Sequence, residues 1–406
     1  MRKLKALILG VVSAGVGLLS IWPSFSMIPR RRLALAQLIA TENPGVAMIT
    51  GGLGLIGGLR AGSWCAAGLS ALGLGLGIRP LIRRPAVNEA MAEAMRDGLG
   101  TGWQGAIPPD VYRRFGQSHR TDMWGPLRYL LKAQVDVARD VLFAAPDGYP
   151  LRLDVYEPRE PGELRPAIVV VHGGAWFHGD KSDYAFGLHD RWLAGQGYVV
   201  FDVQYRLTGR WPAPLSDVKC AVRWVRANAA RFQVDPDRIA LMGRSAGGHL
   251  ALMAAYTAND PEFPPSCLDE DAPPIDESVQ AVIASYAPAD LRLWQAERGG
   301  AIDHLLGGLP HEVPDAYRAA SPVTHVKPGL PPTMVIHGQR DRTVPPAHSE
   351  LLVNTLRAAG VTTVALRIPW GRHGVDGLLV GLTGPMIQYD VDRFLARVFY
   401  GREGHA

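Results

Sequence analysis

The sequence predicts an α/β fold with a mostly parallel sheet for the larger, C-terminal part of the chain. From about residue 136 onward, short apolar runs rich in β-branched residues alternate with segments of helical periodicity. Such alternation is typical of βαβ units, and uninterrupted apolarity along a strand indicates that both faces of the sheet are covered. A third observation is the pentapeptide Gly-Arg-Ser-Ala-Gly at the end of one such run, where this fold presents functional residues.

The elements follow one another in a regular order. VARDVLFA and YPLRLDVYEP predict two strands joined by the turn Pro146-Asp147-Gly148, whose residues favour a hairpin. The six further predicted strands are AIVVV, YVVFDVQYR, RIALMG, QAVIASYAP, TMVIHGQRD and TVALRIPW. The predicted helices lie in DYAFGLHDRWLAGQG, LSDVKCAVRWVRANAARF, GGHLALMAAYTA, HSELLVNTLRAAG and IQYDVDRFLARVFY.

Three parts are expected along the chain. Residues 1–87 form an N-terminal hydrophobic helical region, residues 88–135 a helical linker, and residues 136–402 the α/β domain, with a small lid insertion at 291–327.

The first apolar run predicts a transmembrane helix. Residues 6–29 carry no charged side chain and lie between two basic flanks, 2–5 and 30–32. A helix of this length spans the roughly 30 Å of a bilayer's hydrocarbon core. A cleaved signal peptide is the alternative, which is disfavoured because the run is long and Ser24-Phe25-Ser26 is a poor cleavage site.

A second apolar run covers residues 43–78 and is interrupted only by Arg60. Its glycines recur at the four-residue spacing that lets helices approach closely in lipid, so we expect a helical hairpin that turns at Arg60. A buried hairpin in a soluble core is the alternative. The segment GLGLIG also matches a dinucleotide fingerprint, but no acidic residue follows at the required distance.

Charge excludes nucleic acid as a partner and leaves the membrane side open. The first 90 residues carry +8 and the whole chain +4, which leaves −4 on residues 91–406, and no basic patch interleaved with aromatics occurs. The expected partners are membrane lipid, through the N-terminal segments, and a small molecule. The hairpin places six basic residues on the side of the α/β domain and four on the other, which favours a cytoplasmic domain weakly. A three-span arrangement with the N-terminus inside reverses that side.

The three cysteines indicate neither a disulfide framework nor a metal site. Cys65, Cys220 and Cys267 show no CxxC or Cys/His ligand spacing. Cys65 and Cys220 lie in apolar or helical surroundings and are expected to be buried as small hydrophobic residues. No metal or organic cofactor is predicted.

Ser245, at the centre of Gly-Arg-Ser-Ala-Gly, is the candidate nucleophile. A sharp strand-to-helix turn crowds the backbone, and glycines two positions to either side relieve that crowding. A serine hydroxyl needs a base and an orienting acid, which follow in the order Asp then His in this fold. Asp341 ends a predicted strand, and His373 follows the last predicted strand in a glycine-flanked loop. Asp376 competes as the acid, but it lies on the same loop as His373.

A glycine-rich turn after AIVVV supplies candidate donors for a developing negative charge. Backbone N–H groups in such a turn, together with the N–H that follows the nucleophile, can form an oxyanion hole. The candidates are Gly173, Gly174, Ala175 and Ala246. His172, His337 and His348 are expected to be structural, and Trp176 fits either a wall of a substrate pocket or a core position.

The segments HGGAW, VQYRL, WPAPLSDV, GRSAGG, ASPVTHV and HGQRDRTVP, in that order, resemble α/β-hydrolases of the hormone-sensitive-lipase and feruloyl-esterase-like carboxylesterase group. The resemblance covers roughly residues 136–400 and implies an eight-stranded sheet with a Ser245–Asp341–His373 triad. The N-terminal region is outside that pattern and resembles membrane-associated actinobacterial esterases. The chain departs from the pattern at Ala175, where a third glycine is common, and at Thr208-Gly209-Arg210.

The resemblance implies a membrane-anchored enzyme that hydrolyses short- to medium-chain carboxylic esters, so the expected small-molecule partner is an ester substrate. Two alternatives remain. The first is an arylformamidase-like amidase or a peptidase on the same scaffold. The second is a non-catalytic binding protein, which would ordinarily lack one member of the triad.

Overall fold

A computed structural model describes residues 1–21, 31–114, 120, 122–160, 162–181, 186–267, 274–294 and 300–401. The helices are α1 Arg2–Ile21, α2 Arg31–Glu42, α3 Gly45–Arg60, α4 Trp64–Leu99, α5 Pro109–Arg114, α6 Gly125–Leu130, α7 Phe186–Gly195, α8 Ala213–Ala227, α9 Ala246–Tyr256, α10 Ala301–Leu306, α11 Pro314–Ala319, α12 Ala347–Ala358 and α13 Gly384–Tyr400. The strands are β1 Val135–Ala144, β2 Leu151–Pro158, β3 Arg165–Val171, β4 Val199–Val203, β5 Val234–Arg244, β6 Ala281–Ser285, β7 Thr333–Gly338 and β8 Thr363–Ile368.

The eight strands form one sheet in the order β1-β2-β4-β3-β5-β6-β7-β8. The pairs β1/β2 and β2/β4 are antiparallel, and all the pairs from β4 to β8 are parallel. Strands β4, β6 and β7 are buried along their whole length, because one hydrophobic cluster covers each face of the sheet. The predicted eight-stranded, mostly parallel α/β sheet is therefore confirmed.

Helices α1, α3 and α4 pack together as an N-terminal bundle with small residues inside. A Cβ atom on Gly73 would lie 2.0 Å from Oγ of Ser13, and one on Gly54 would lie 2.4 Å from Oγ of Ser70. Large apolar side chains point outward instead, which is the arrangement of helices that pack in lipid. The exposed large residues of the bundle are Leu4, Ile8, Val11, Val12, Leu18, Val46, Ile49, Leu53, Ile56, Leu59, Trp64, Leu72, Ile78 and Ile82.

Within the described part of the chain, two helical stretches, Arg2–Ser20 of α1 and Trp64–Leu99 (α4), are long and apolar enough to cross a membrane, and α3 is a shorter apolar helix. Helix α3 ends at Arg60, where the sequence predicts the turn. The end of the predicted first span, residues 22–29, lies outside the described residues.

Helix α4 connects the bundle to the sheet, and the boundary expected at residue 87 falls inside it. A Cβ on Gly98 would lie 2.6 Å from the carbonyl oxygen of Thr363, at the start of β8. Pro80, 18 residues earlier, lines a cleft with Trp370, just beyond the end of β8. The helix therefore runs antiparallel to β8, and the bundle extends beyond the carboxyl edge of the sheet.

Cys220 is buried as expected, but the cysteines differ from expectation in two other respects. Cys220 and Cys267 form a disulfide across 47 residues, and Cys65 is exposed on the bundle rather than buried. Cys220 lies in α8, and Cys267 lies beyond the end of α9, so that only the tertiary fold brings their Cα atoms within 5.6 Å. No short cysteine spacing announces such a long-range pair in the sequence.

Candidate active site

Ser245 lies between β5 and α9 in a backbone conformation that L-residues rarely adopt, with φ 54° and ψ −122°. The turn is possible because Gly247 lacks a side chain: a Cβ there would lie 2.2 Å from the carbonyl oxygen of Val171. This backbone conformation of Ser245 makes its hydroxyl project from the carboxyl edge of the sheet, directly before the N-terminus of α9.

Ser245, His373 and Asp341 form a continuous series of hydrogen-bonding contacts. Nε2 of His373 lies 3.0 Å from Oγ of Ser245, and Nδ1 of His373 lies 2.8 Å from Oδ2 of Asp341. Since a carboxylate only accepts, Nδ1 carries the proton and Nε2 is free to accept one from the serine. The three residues singled out in the sequence thus meet at one edge of the sheet.

The surroundings of Asp341 keep its carboxylate ionised. Burial disfavours the charge, but hydrogen bonds and charges from His373 and His337 outweigh it and hold the pKa of Asp341 well below its usual range. The backbone N–H groups of Thr343 and Val344 donate to Oδ1, at 2.8 and 3.0 Å. His337 contacts the other oxygen at 3.3 Å, so it supports the acid rather than the serine.

The glycine-rich turn 172–176 lies directly beside Ser245. A Cβ on Gly173 would lie 3.4 Å from Cβ of Ser245. Gly174 has φ +129°, and a Cβ there would lie 1.9 Å from the carbonyl oxygen of His178, so this position requires glycine. The N–H groups of Gly174 and Ala175 have no hydrogen-bond partner among the described residues, and Ala246 begins α9. These amides are available to an oxyanion in the turn.

His172 and Trp176, at the two ends of the turn, are held by neighbouring rings. His172 stacks on Tyr205 with ring centroids 4.4 Å apart, consistent with the structural role expected for it. Trp176 is buried, and its Nε1–H donates to Nδ1 of His249 over 3.2 Å. Nε2 of His249 in turn contacts the carbonyl oxygen of Ala320 in the insertion, which ties the lid segment to the turn.

Asp376 does not contact His373 but forms a buried ion pair that the sequence did not reveal. Nε of Arg244 donates to Oδ2 of Asp376 over 2.7 Å, and the hydroxyl of Tyr286 donates to Oδ1 over 2.7 Å. Burial opposes the charge of Asp376, but Arg244 and the other neighbours hold its pKa below the usual range. Arg244 directly precedes Ser245, and Asp376 follows His373 by three residues, so this ion pair holds the two loops together.

The N-terminal helices fasten the same histidine loop, residues 371–383, from its other side. Arg372 donates to Oγ1 of Thr41 over 2.8 Å and to the carbonyl oxygen of Ser20 over 2.9 Å. The buried carboxylate of Glu42 accepts from N and Oγ1 of Thr383 over 2.7 and 2.6 Å. The hydrophobic region at the N-terminus is therefore in direct contact with the loop that carries His373.

This fold and this arrangement of residues define the class: the chain is a carboxylic-ester hydrolase with the α/β-hydrolase fold. A family model for BD-FAE matches residues 153–356. The chain belongs to the BD-FAE family. The residues matched include the turn at 172–176, Ser245 and Asp341, while His373 lies beyond them.

Relatives in Mycobacterium tuberculosis carry names of the same kind. "Probable carboxylic ester hydrolase LipM" is 33% identical over 84% of this chain and 79% of its own length. "Esterase LipQ" is 36% identical over 72% of this chain and 69% of its own length. "Esterase LipC" is 37% identical over 57% of this chain, and the match covers 59% of LipC.

Solved structures resemble the α/β domain. The butyrate-bound structure of a thermophilic esterase, Est2, from Thermogutta terrifontis has a TM-score of 0.54 and is 27% identical; the match covers 68% of this chain and 98% of Est2. A carbohydrate esterase from gut microbiota has a TM-score of 0.55 and 27% identity, with 64% and 96% coverage.

Proposed function

We propose that the chain is a membrane-associated serine esterase that hydrolyses short- to medium-chain carboxylic esters through an acyl-enzyme intermediate. The observation that carries this proposal is the series of contacts from Ser245 through His373 to the ionised Asp341, beside the amides of the glycine-rich turn. No step of the proposed mechanism needs a metal or an organic cofactor.

In this mechanism Oγ of Ser245 attacks the ester carbonyl while Nε2 of His373 takes its proton. The N–H groups of Gly174, Ala175 and Ala246 stabilise the negative oxygen of the tetrahedral intermediate. His373 then gives the proton to the leaving alcohol, and an acyl-serine remains. A water molecule, deprotonated by the same imidazole, releases the carboxylic acid and restores Ser245.

The preference for short and medium acyl groups rests on the small lid. The described residues of the insertion include two six-residue helices, α10 and α11, and contact the turn through His249 and Ala320. The butyrate bound to Est2 of Thermogutta terrifontis is consistent with a small acyl pocket in this fold.

A series of p-nitrophenyl esters with acyl chains of two to sixteen carbons tests the activity on the detergent-solubilised full chain. We expect kcat/KM to be highest for short and medium chains and to fall at least about tenfold for the longest, because the proposed small lid leaves little room for them. An N-formyl arylamine, measured in parallel, separates esterase from amidase. Faster turnover of the formamide would replace the ester proposal by the amidase alternative, and a maximum at sixteen carbons would contradict the small pocket.

The proposed membrane association rests on the apolar exterior of the N-terminal bundle. The side of the membrane on which the α/β domain lies is inferred from the disulfide. Helices α1 and α4 run in the same direction: Gly10 of α1 packs against Ala66 of α4, and Gly17, seven residues later, packs against Gly73, also seven residues later. With α1, α3 and α4 each crossing the membrane once, the α/β domain lies on the side opposite the N-terminus. Disulfides persist in oxidising compartments, so we propose an extracytoplasmic domain, against the weak charge-based expectation.

Two measurements on bacterial spheroplasts check this topology. Maleimide-polyethylene glycol should add once to the denatured, unreduced chain, at Cys65, and three times after reduction, because Cys220 and Cys267 are bonded. External protease should degrade the domain without lysis. Three additions before reduction, together with protection until lysis, would place the domain in the cytoplasm.

A further inference from the structure

A cleft at the junction between the N-terminal bundle and the α/β domain is strongly basic. Arg79 and Arg83 line it from α4, and Arg340 lines it from the end of β7, next to Asp341. The remaining lining residues are Ser20, Thr41, Leu76, Pro80 and Trp370. No acidic side chain belongs to this lining.

The arginines of this basic cleft repel one another. Residues four apart on a helix lie on the same face, so Arg79 and Arg83 form an unfavourable like-charge pair. Burial lowers the pKa of Arg340, and the charges of Arg79 and Arg83 lower it further. Burial and the charge of Arg340 likewise lower the pKa of Arg372 to about 10. The positive charges of three separate segments therefore lie close enough to destabilise the protonated form of one another's arginines.

Protein groups do not neutralise Arg79 and Arg83, the two arginines of α4 that line the cleft. Among the described residues, neither Arg79 nor Arg83 has an ion pair or a hydrogen-bonding partner. The nearby carboxylate of Glu42 accepts hydrogen bonds from Thr383 instead. An anion from outside the chain would offset this charge.

The position of the cleft selects the kind of anion. The cleft lies where the outward-facing apolar side chains of α4 end, beside Ile78 and Ile82, which are 39% and 70% exposed. A free phosphate would satisfy the arginines and leave both isoleucines in water. A molecule with a phosphate head and apolar chains matches both features, since basic pockets next to membrane helices bind anionic lipid headgroups.

We infer that Arg79, Arg83 and Arg340 bind the phosphodiester headgroup of an anionic membrane phospholipid, whose acyl chains lie along Ile78 and Ile82. This inference rests on the membrane association in the proposed function. It also places the headgroup layer at the carboxyl edge of the sheet, where Arg340 directly precedes Asp341. The proposed catalytic residues therefore lie at the level of the membrane surface.

Native mass spectrometry of the full chain, released from detergent micelles, tests the lipid site. The probes are phosphatidylglycerol, phosphatidylcholine and inorganic phosphate. The test variant is Arg79→Gln/Arg83→Gln, and the matched control is Arg2→Gln/Lys5→Gln, which removes two charges at the opposite end of the bundle. We expect the wild type and the control to retain one phosphatidylglycerol and the test variant to bind it about thirtyfold more weakly, the effect of two charges near a membrane surface.

Three results would overturn the inference: equal retention by the test variant and the control, equal retention of phosphatidylcholine, or release of phosphatidylglycerol by millimolar inorganic phosphate. Hydrolysis of p-nitrophenyl butyrate by the same samples shows whether each chain is folded, because the four substituted residues lie outside the catalytic machinery. Loss of this hydrolysis in all chains, including the wild type, counts against the proposed esterase and not against the lipid site. Extraction of the wild type from membranes by alkaline carbonate overturns membrane association and the lipid site together.

Discussion

Replacing Ser245 by alanine is expected to lower kcat/KM for p-nitrophenyl butyrate by about 10⁴-fold or more, because no acyl-enzyme can form without the hydroxyl. The backbone at this position already holds φ 54° with a side chain present, so alanine adds no new strain. The variant should therefore unfold at the temperature of the wild type. Residual hydrolysis from the oxyanion amides would remain above the uncatalysed rate.

Covalent labelling tests the role of Ser245 without measuring turnover. An organophosphonate should add once to the wild type, on the peptide that contains Ser245, and not at all to Ser245→Ala. Ser216→Ala is the matched control, since Ser216 is a buried serine in α8 outside the site. Ester hydrolysis by Ser245→Ala within tenfold of this control would remove Ser245 from the proposed mechanism.

The sequence predicted the parts of the site that depend on local geometry. A strand, a glycine-flanked serine and a helix form one continuous segment, so their arrangement follows from the turn alone. Asp341 and His373 could be selected because each follows a predicted strand, and parallel strands end at one edge of the sheet. Their distances from one another needed the structure.

The contacts that fasten the histidine loop could not be predicted in this way. Arg244 and Asp376 are 132 residues apart, and Arg372 and Thr41 are 331 apart. No periodicity or spacing relates such residues, because each pairing depends on how segments that are distant in the chain pack in the finished fold. The Cys220–Cys267 disulfide is hidden for the same reason.

Asp341→Asn is the second change with a very large expected effect: kcat should fall by about 10⁴-fold, with little loss of substrate binding. The asparagine oxygen can still accept from the N–H groups of Thr343 and Val344, which turns its NH₂ group toward Nδ1 of His373. The imidazole then carries its proton on Nε2 and cannot take one from Ser245. Because the pKa of Asp341 lies well below its usual range, protonation of Asp341 should not lower the wild-type rate in weak acid.

Asp376→Asn is the comparison that distinguishes the roles of Asp341 and Asp376, the two acids near His373. Removing the charge of Asp376 leaves the buried guanidinium of Arg244 without its charge partner, so we expect a loss of about 3–5 kcal/mol in the free energy of unfolding. Because Asp376 does not contact the imidazole, kcat measured below the unfolding temperature should stay within about tenfold of the wild type, the range of an indirect positioning effect. Denaturant unfolding and steady-state kinetics on both variants give the two quantities. If Asp376→Asn lowered kcat as severely as Asp341→Asn while remaining fully folded, Asp341 could no longer be assigned as the acid that orients His373.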